Sequence, residues 1–328
     1  IEVTIMKVFQ KTPGKDFVVL NLTDPQLGNE EWAPGKMTER LLRGTLKELI
    51  ERTHPDLITI AGDLSWAGSM DAYEYLAREL DGYKIPWAPV WGNHDNQGGP
   101  EQVDKQAEVL LKHPFCIMEK GDPAMGCGNY VISVEQDGKP VYALFMIDSH
   151  DRMPITNEDG TEGSDWAHLL PNQLTWYTEQ AKALGCHNSI VMHIPVYNYR
   201  DAWDAWNKNF DPMKVTPAEA YDPKYWNEGY KTAYGSKYEG IGSYSRDLGE
   251  FDALRAPGLL DNILVGHDHV NNFVIPYKGV NLVYILKIGA GCYWTERLNG
   301  GTVLRITDDG MELKHEFVDA APYMPKEE

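Results

Sequence analysis

Five short polar segments, each directly after an apolar run, carry the side chains of this chain that are best suited to metal chemistry. They contribute aspartate, asparagine and histidine, and none of them contains a cysteine. Carboxylate, amide and imidazole groups together suit hard to borderline divalent cations, which in pairs bind phosphate oxygens and activate water. The segments are Asp24-Pro25-Gln26, Gly62-Asp63, Gly92-Asn93-His94-Asp95, Met192-His193 and Gly266-His267-Asp268-His269.

Taken singly, most of these segments have an ordinary structural explanation. Gly62-Asp63 is a common composition for a turn after a strand, and a lone histidine such as His193 is more often a hydrogen-bonded core residue than a ligand. His267 and His269 differ, because alternate residues of an extended segment point to the same side, as ligands of one ion must. The five segments together predict a metal site.

In this order the segments resemble the calcineurin-like metallophosphoesterases, whose pattern reads D-x-H, G-D, G-N-H-D/E, a lone histidine and G-H-x-H. Every element is matched except the first histidine, which is replaced by Gln26. The run at 84–87, the helix around Gln173 and Trp176, and the segment 266–273 resemble the small purple-acid-phosphatase-like branch. The resemblance implies a four-layer α/β/β/α sandwich of two mixed sheets flanked by helices.

The resemblance also implies a role for each polar side chain. Asp63 would bridge two divalent cations (Mn, Fe or Zn), and a hydroxide bridging them would attack phosphorus. His94 cannot reach the cations if its neighbour Asn93 does, so it is placed to protonate the leaving oxygen or to contact the phosphate. Asp95 is expected to hold the tautomer of His94. Asp24, Asp63, His269 and Gln26 would hold the first cation, and Asp63, Asn93, His193 and His267 the second.

Two positions depart from the family pattern. Gln26 offers an amide oxygen instead of an imidazole, which leaves two interpretations open: a weak oxygen ligand of the first cation, or a side chain outside its coordination shell. In purple acid phosphatases a tyrosine three residues after the bridging aspartate ligates iron, whereas that position is Trp66 here. An iron-tyrosinate centre is therefore not expected.

Alternating strands and helices must position these segments. The first part predicts a parallel β-α-β-α-β series whose strands end at Asp24, Asp63 and Asn93, and ligands gather beyond the carboxyl ends of such strands. Thr38 is the predicted N-cap of the first helix. The later part predicts an Asp137-Gly138 hairpin and antiparallel strands that form a second sheet. The predicted strands are 17–22, 56–61, 87–91, 130–135, 141–147, 189–192, 263–265, 273–275, 280–288, 303–306 and 313–317, and the predicted helices are 38–52, 71–80 and 171–184.

An aromatic-rich stretch at about 197–245 interrupts this pattern within what the resemblance implies is a single phosphoesterase domain, 1–328. A long irregular stretch inside a compact domain is commonly functional, so it predicts an ordered cap over the site. Trp203, Trp206 and Tyr238 are then the expected substrate contacts. The other interpretation is a surface excursion that covers the core without touching substrate.

Composition narrows the range of partners. The formal net charge of -19 opposes the binding of nucleic acid polymers, which depends on lysine and arginine. No apolar run approaches the roughly 20 residues that span a bilayer, so no membrane partner is expected. The expected partner is a small-molecule phosphate ester, and the sequence leaves the oligomeric state open.

Four cysteines show no C-x-x-C spacing and lie outside the polar segments, so they are poor metal ligands. Cys116 and Cys127 either form a disulfide in an oxidising compartment or remain free thiols. The 11% aromatic content favours a secreted or periplasmic location over a cytoplasmic one.

Two functions of different classes follow. The leading hypothesis is a metal-dependent phosphoesterase that acts on phosphate monoesters or diesters. The alternative is a catalytically silent ligand-binding protein in which Gln26 impairs the first metal position.

Overall fold

The structure is a computed structural model that describes residues 5–28, 35–66, 68–157, 159–206 and 233–325. Its strands are β1 (Ile5–Gln10), β2 (Phe17–Leu22), β3 (Leu57–Ala61), β4 (Trp87–Val90), β5 (Tyr130–Gln136), β6 (Lys139–Met146), β7 (Arg152–Thr156), β8 (Glu162–Trp166), β9 (His187–Val191), β10 (Leu260–Val265), β11 (Val274–Tyr277), β12 (Val280–Tyr284), β13 (Gly300–Ile306) and β14 (Met311–Phe317). Its helices are α1 (Met37–Thr53), α2 (Met70–Asp81), α3 (Asn93–Asn96), α4 (Gly99–Leu110), α5 (Pro171–Leu184), α6 (Asn198–Trp206) and α7 (Glu250–Arg255).

The first sheet has the strand order β14-β13-β2-β3-β4. β2, β3 and β4 run parallel, and β13 pairs antiparallel with both β2 and β14. Every residue of β2, β3 and β4 is buried, which explains why these strands are mostly apolar; the polar exceptions in β2 and β3, Asn21 and Thr59, hydrogen-bond each other. The predicted parallel β-α-β-α-β series is confirmed.

The second sheet has the order β1-β5-β6-β9-β10-β12-β11, in which β6, β9, β10 and β12 are parallel neighbours. β5 and β6 form the predicted hairpin. Its two turn residues, Asp137 and Gly138, have φ of 53° and 72°, and positive φ at both positions suits the twist of a two-residue hairpin turn.

Two apolar cores separate four layers. The first core lies between the two sheets and continues under α1, α2 and α4, and the second lies between the seven-stranded sheet and α5, α6 and α7. β5 shows the alternation of a strand buried on both faces, because Ile132 belongs to the first core and Val131 to the second. The predicted four-layer sandwich of mixed sheets and flanking helices is confirmed.

Several predicted details differ from the structure. The later strands do not form a sheet of their own, because β13 pairs with β2 of the first part. Thr38 lies inside α1, which begins after Lys36 without a side-chain cap. The sequence patterns did not reveal β1, α4 or the separate β7–β8 hairpin, which is a two-stranded sheet.

Three further features bear on the predictions: the cysteines, the aromatic stretch and the helices. All four cysteines are free thiols, so Cys116 and Cys127 are not paired. Of the predicted cap at about 197–245, residues 207–232 lie outside the described residues. In the described ranges, no helix combines the length and the apolar character that crossing a membrane requires.

Candidate metal centre

The five polar segments meet at the carboxyl ends of parallel strands from both sheets. β2, β3 and β4 lead into the loops that carry Asp24, Asp63 and Asn93, while β9 and β10 lead into those that carry the histidines. All of these donor side chains are buried, with relative exposures between 0% and 9%. The side chains brought together are those of Asp24, Asp63, Asn93, His193, His267 and His269.

The backbone of these loops is unusual where the donors lie. Asp24, Gln26, Asp63 and His267 all have positive φ, between 41° and 75°, a region that residues other than glycine rarely occupy. Such conformations persist only where the surrounding structure enforces them, and they concentrate at functional sites.

Close approach of the loops explains why glycine precedes Asp63 and Asn93. A Cβ atom on Gly92 would lie 2.2 Å from Asp63 Oδ1, and one on Gly62 would lie 2.7 Å from both the Gly92 nitrogen and His193 Nδ1. Any larger residue at either position would push the donors apart. The glycines of the Gly62-Asp63 and Gly92-Asn93 pairs therefore determine the geometry of the site.

All four side chains expected at the second metal position lie close together. Asn93 Oδ1 lies 2.9 Å from His267 Nδ1 and 3.1 Å from His193 Nε2. His193 Nε2 lies 3.4 Å from Asp63 Oδ1. These separations suit donors that surround a single ion with bonds of about 2.0–2.2 Å.

The first metal position is less complete. Asp24 Oδ1 lies 3.3 Å from His269 Nε2 and 4.0 Å from His193 Nε2. The Gln26 side chain makes its hydrogen bond here through nitrogen and not through oxygen: its Nε2 donates to Asp63 Oδ2 across 2.8 Å. The amide side chain therefore contacts the carboxylate that is expected to bridge.

Two buried oxygens indicate that the residues present fit a cation. Asp24 Oδ1 and Gln26 Oε1 accept no hydrogen bond within the part of the chain that the structure describes. A buried acceptor without a donor is costly, and a bound cation would satisfy it. Asp24, Asp63 and His193 each offer one ligand atom within 4.8 Å of the others.

Two of the imidazoles are oriented for metal binding by hydrogen bonds from the ring nitrogen that faces away from the site. His193 Nδ1 donates to the carbonyl of Ala61 across 2.7 Å, and His269 Nδ1 donates to the carbonyl of Tyr293 across 2.9 Å. With Nδ1 occupied, each ring presents Nε2 to the site. This is the usual arrangement of metal-binding histidines.

Electrostatics also favour a cation. Burial opposes ionisation of both carboxylates, but the histidines outweigh it: His269 and His193 hold the pKa of Asp24 well below its usual range, and His193 lowers the pKa of Asp63 to about 2. Burial would lower the pKa of His193, but Asp63 and Asp24 raise it to about 10. Burial lowers the pKa of His267 to about 3. The site therefore holds buried negative charge that a divalent cation would balance.

His94 stands at the edge of the site rather than among the donors. Its backbone N–H donates to Asp63 Oδ1 across 2.9 Å, and its Nε2 lies 3.9 Å from Asp63 Oδ2. Trp66 packs on the imidazole with ring centroids 4.2 Å apart. The residue at the position of the iron-binding tyrosine thus contacts His94.

Asp95 does not hold the tautomer of His94, and that prediction is wrong. Its fully buried carboxylate accepts hydrogen bonds from the backbone N–H groups of Gly92, Leu64 and Ser65 and from the hydroxyl of Tyr73, 2.6 Å away. Burial raises the pKa of Asp95 to about 7. Asp95 instead joins the loops after β3 and β4, which carry Asp63 and Asn93.

A groove of about 310 Å³ opens over the donors. Trp166 meets His267 edge-on with ring centroids 4.3 Å apart, and Tyr293 stacks on His269 at 4.1 Å. Sequence reasoning missed both rings. Trp166 lies on the unpredicted β7–β8 hairpin, and no local pattern placed Tyr293 here.

Lys287 is a further residue that the sequence analysis missed. It is 3% exposed, and its ammonium group donates to the backbone carbonyl of Asp24. Burial lowers the pKa of Lys287 to about 8. A lysine inside the apolar run 282–288 was the available signal, because a buried charge in such a run requires a partner.

The predicted substrate contacts lie elsewhere. Trp203 and Trp206 are 3% and 2% exposed, and both belong to the second core, where Trp203 packs on Phe273. The backbone N–H of Tyr238 donates to Asn271 Oδ1. None of the three predicted residues lines the groove, so Trp66, Trp166 and Tyr293 replace them as its aromatic walls.

Comparisons with known proteins identify the family and the fold. The family model described as calcineurin-like phosphoesterase matches residues 19–271. The "Probable inactive purple acid phosphatase 29" of Arabidopsis thaliana is 26% identical over 260 residues, which cover 73% of this chain and 61% of that protein. "Phosphatase DCR2" of Saccharomyces cerevisiae is 24% identical over 288 residues, which cover 80% of this chain and 44% of that protein.

The chain thus spans less than two thirds of the length of these curated relatives. Among solved structures, a dimetal phosphatase from Danio rerio has a TM-score of 0.58 at 14% sequence identity. The similarity covers 91% of this chain and 95% of that one, and at this identity it concerns the fold alone.

Proposed function

The chain belongs to the calcineurin-like phosphoesterase family, and we propose on this basis that it hydrolyses phosphate esters of small molecules with the help of two divalent cations. One observation carries the proposal. Six buried donor side chains from five separate segments converge, and two oxygens among them and their neighbours accept no hydrogen bond within the described residues. This arrangement is costly unless cations occupy it.

Asp24 and His269 would hold the first cation, Asn93, His193 and His267 the second, and Asp63 both. Cations bound here would polarise the phosphoryl oxygens and supply an activated water. Asp24 is positioned by two hydrogen bonds to its Oδ2, from the hydroxyl of Thr23 and from the backbone N–H of His267. The remaining oxygen, Oδ1, is thereby directed to the site.

His94 is the proposed general acid. Its imidazole is 19% exposed at the edge of the groove, whereas the donor histidines are almost completely buried. A proton donor must reach the oxygen of the departing alcohol, which in an in-line displacement leaves on the side opposite the attacking water. Packing by Trp66 holds the ring in this position.

A catalytically silent ligand-binding protein is the second candidate function. Gln26 replaces an imidazole and hydrogen-bonds the bridging carboxylate, so the first metal position has fewer donors than the second. The Arabidopsis relative carries the word "inactive" in its name. The chain nevertheless retains His94 and every donor of the second metal position.

Metal content and hydrolysis distinguish the two functions. The protein is loaded with Mn, Fe or Zn, its metal content is measured by mass spectrometry, and turnover of p-nitrophenyl phosphate and bis-p-nitrophenyl phosphate is followed. Metal-dependent turnover that is lost in Asp63→Asn supports the enzyme. Bound metal without turnover of either ester in any metal form supports the binding protein.

A further inference from the structure

A second cavity, of about 330 Å³, lies beside the metal groove, and the roles described above do not use it. Its wall includes Asn96 of α3, the short helix that also carries Asn93 and His94. Arg152 lines it as well, and the Arg152 guanidinium lies 4.1 Å over the ring of Trp166, which lines the groove. The two cavities therefore share a wall on the side of the site that carries His94.

The floor of this second cavity is a buried polar network with its hydrogen bonds made. Asp148 is 1% exposed and accepts from Asn96 Nδ2 (3.0 Å) and from the backbone N–H groups of Cys127 (3.1 Å) and His150 (2.9 Å). Gln173 donates to the Asp148 carbonyl across 2.7 Å. A satisfied network of this kind fixes the shape of the cavity before any ligand arrives.

Asp151 offers a carboxylate to the same cavity. It is partly buried, and its side-chain oxygens accept no hydrogen bond from any residue that the structure describes. Burial raises the pKa of Asp151, and neighbouring Arg152 opposes that shift. Across the cavity, Pro100, Val103 and Pro123 form an apolar wall.

The charges around the cavity are unequal. Three carboxylates, those of Asp104, Asp148 and Asp151, line the cavity together with the exposed Arg152 guanidinium and with His150, whose Nδ1 lies 3.6 Å from Asp148 Oδ2. Asp104 is paired with Lys120 at 3.0 Å and Asp148 is hydrogen-bonded throughout, so Asp151 is the carboxylate left to meet a ligand. A positively charged or uncharged group is favoured here, and a carboxylate or second phosphate is repelled.

We infer that this cavity receives the alcohol half of the phosphate ester and selects cationic or neutral alcohols over anionic ones, with Asp151 as the specificity-determining residue. The inference rests on the proposed phosphoesterase function. In that reaction the water oxygen bonds to phosphorus and the bond from phosphorus to the alcohol oxygen breaks. The alcohol oxygen takes a proton from His94 as it leaves. The volume lies within the usual range of small-molecule sites.

A matched pair of substrates tests it. Phosphoethanolamine and phosphoglycolate have similar length but opposite charge on the alcohol half, and p-nitrophenyl phosphate serves as a reference. We expect Asp151→Asn to lower the ratio of kcat/KM for phosphoethanolamine to that for phosphoglycolate by about tenfold. Arg152→Gln should raise the same ratio, because it removes the opposing charge.

Glu101→Gln is the control, because Glu101 is an exposed carboxylate on α4 that pairs with Lys105 and does not line the cavity. It should leave the ratio unchanged. If Asp151→Asn slows all three esters by one common factor, or the ratio does not change, or only p-nitrophenyl phosphate is hydrolysed, the inference is overturned and the proposed function stands. If the metal-loaded protein hydrolyses no phosphate ester, both the inference and the proposed function are overturned.

Discussion

Gln26 donates its side-chain N–H to Asp63 Oδ2 across 2.8 Å, and a second hydrogen bond, from the Gln26 backbone N–H to the Asp63 carbonyl, joins the same two residues at 2.9 Å. The loops after β2 and β3 bring them together. The residue that departs from the family pattern thus contacts the carboxylate expected to bridge the cations. A change at Gln26 should therefore alter metal binding.

Gln26→His is expected to tighten binding of the first cation. The substitution removes an N–H that competes for Asp63 Oδ2 and provides an imidazole nitrogen, a better donor for borderline divalent ions than an amide oxygen. We expect the weaker of two dissociation constants for Zn or Mn to fall by about tenfold, as changes around metal ligands commonly produce. Isothermal titration calorimetry of the metal-free protein measures both constants.

Gln26→Leu is the matched control for that substitution. It removes the same competing N–H without supplying a nitrogen ligand, so any tightening of the first cation should be smaller than in Gln26→His. Superimposable titrations of Gln26→His and wild type would mean that residue 26 does not reach the first metal position.

His94→Ala separates proton donation from metal binding. We expect kcat to fall by about 10² to 10⁴, the usual span for a lost general acid, while two metals per chain remain bound. His113→Ala is the control, because His113 is also partly buried but pairs with Asp81 and Glu74 and does not line the groove. Loss of metal from His94→Ala would contradict the separate roles.

The donors could be predicted from the sequence because each lies just beyond an apolar strand, and parallel strands end at a common edge. Spacing along the sequence cannot show which hydrogen-bond partner a side chain has in the folded protein. Asp95 follows His94 directly, yet its carboxylate bonds the loop N–H groups and Tyr73. Trp166 and Lys287 reach the site through tertiary packing, which no periodicity in the sequence encodes.

Sheet membership illustrates the same limit. β13 and β14 are adjacent along the chain and were predicted as an antiparallel pair, which they form. The other neighbour of β13 is β2, which lies about 280 residues earlier in the chain, and Thr302 of β13 pairs with Asn21 of β2. Pairing over such a separation depends on packing between layers, because the alternation within each strand fits more than one neighbour.

Trp203→Ala should act on stability rather than on substrate binding. The ring is almost fully buried against Phe273, so its removal leaves a cavity and is expected to cost about 3–5 kcal/mol of unfolding free energy. Trp166→Ala is the matched comparison: a partly exposed groove ring whose loss should raise KM with a smaller effect on stability. Urea unfolding and steady-state kinetics on both variants decide this. An unchanged unfolding midpoint in Trp203→Ala would contradict the core position.

His315 should make stability fall with decreasing pH. It is buried, its Nε2 donates to the Asn272 carbonyl across 2.6 Å, and its Nδ1 accepts from the Thr302 hydroxyl at 2.9 Å, a pattern that requires the neutral ring. Burial lowers the pKa of His315 from 6.5 to about 4. Between these values the unfolded chain binds more protons than the folded protein, so the stability present above pH 6.5 is lost as the pH falls towards 4.

The loss attributable to His315 is on the order of 3 kcal/mol, from about 1.4 kcal/mol for each unit of pKa shift. Because other groups also titrate in this range, the informative quantity is the difference between wild type and His315→Gln, in which an amide can still donate to the Asn272 carbonyl. Urea unfolding at pH 7, 6, 5 and 4 should give a steeper decline for the wild type, even if His315→Gln is less stable at pH 7. Parallel declines would show that His315 does not titrate as a buried neutral imidazole.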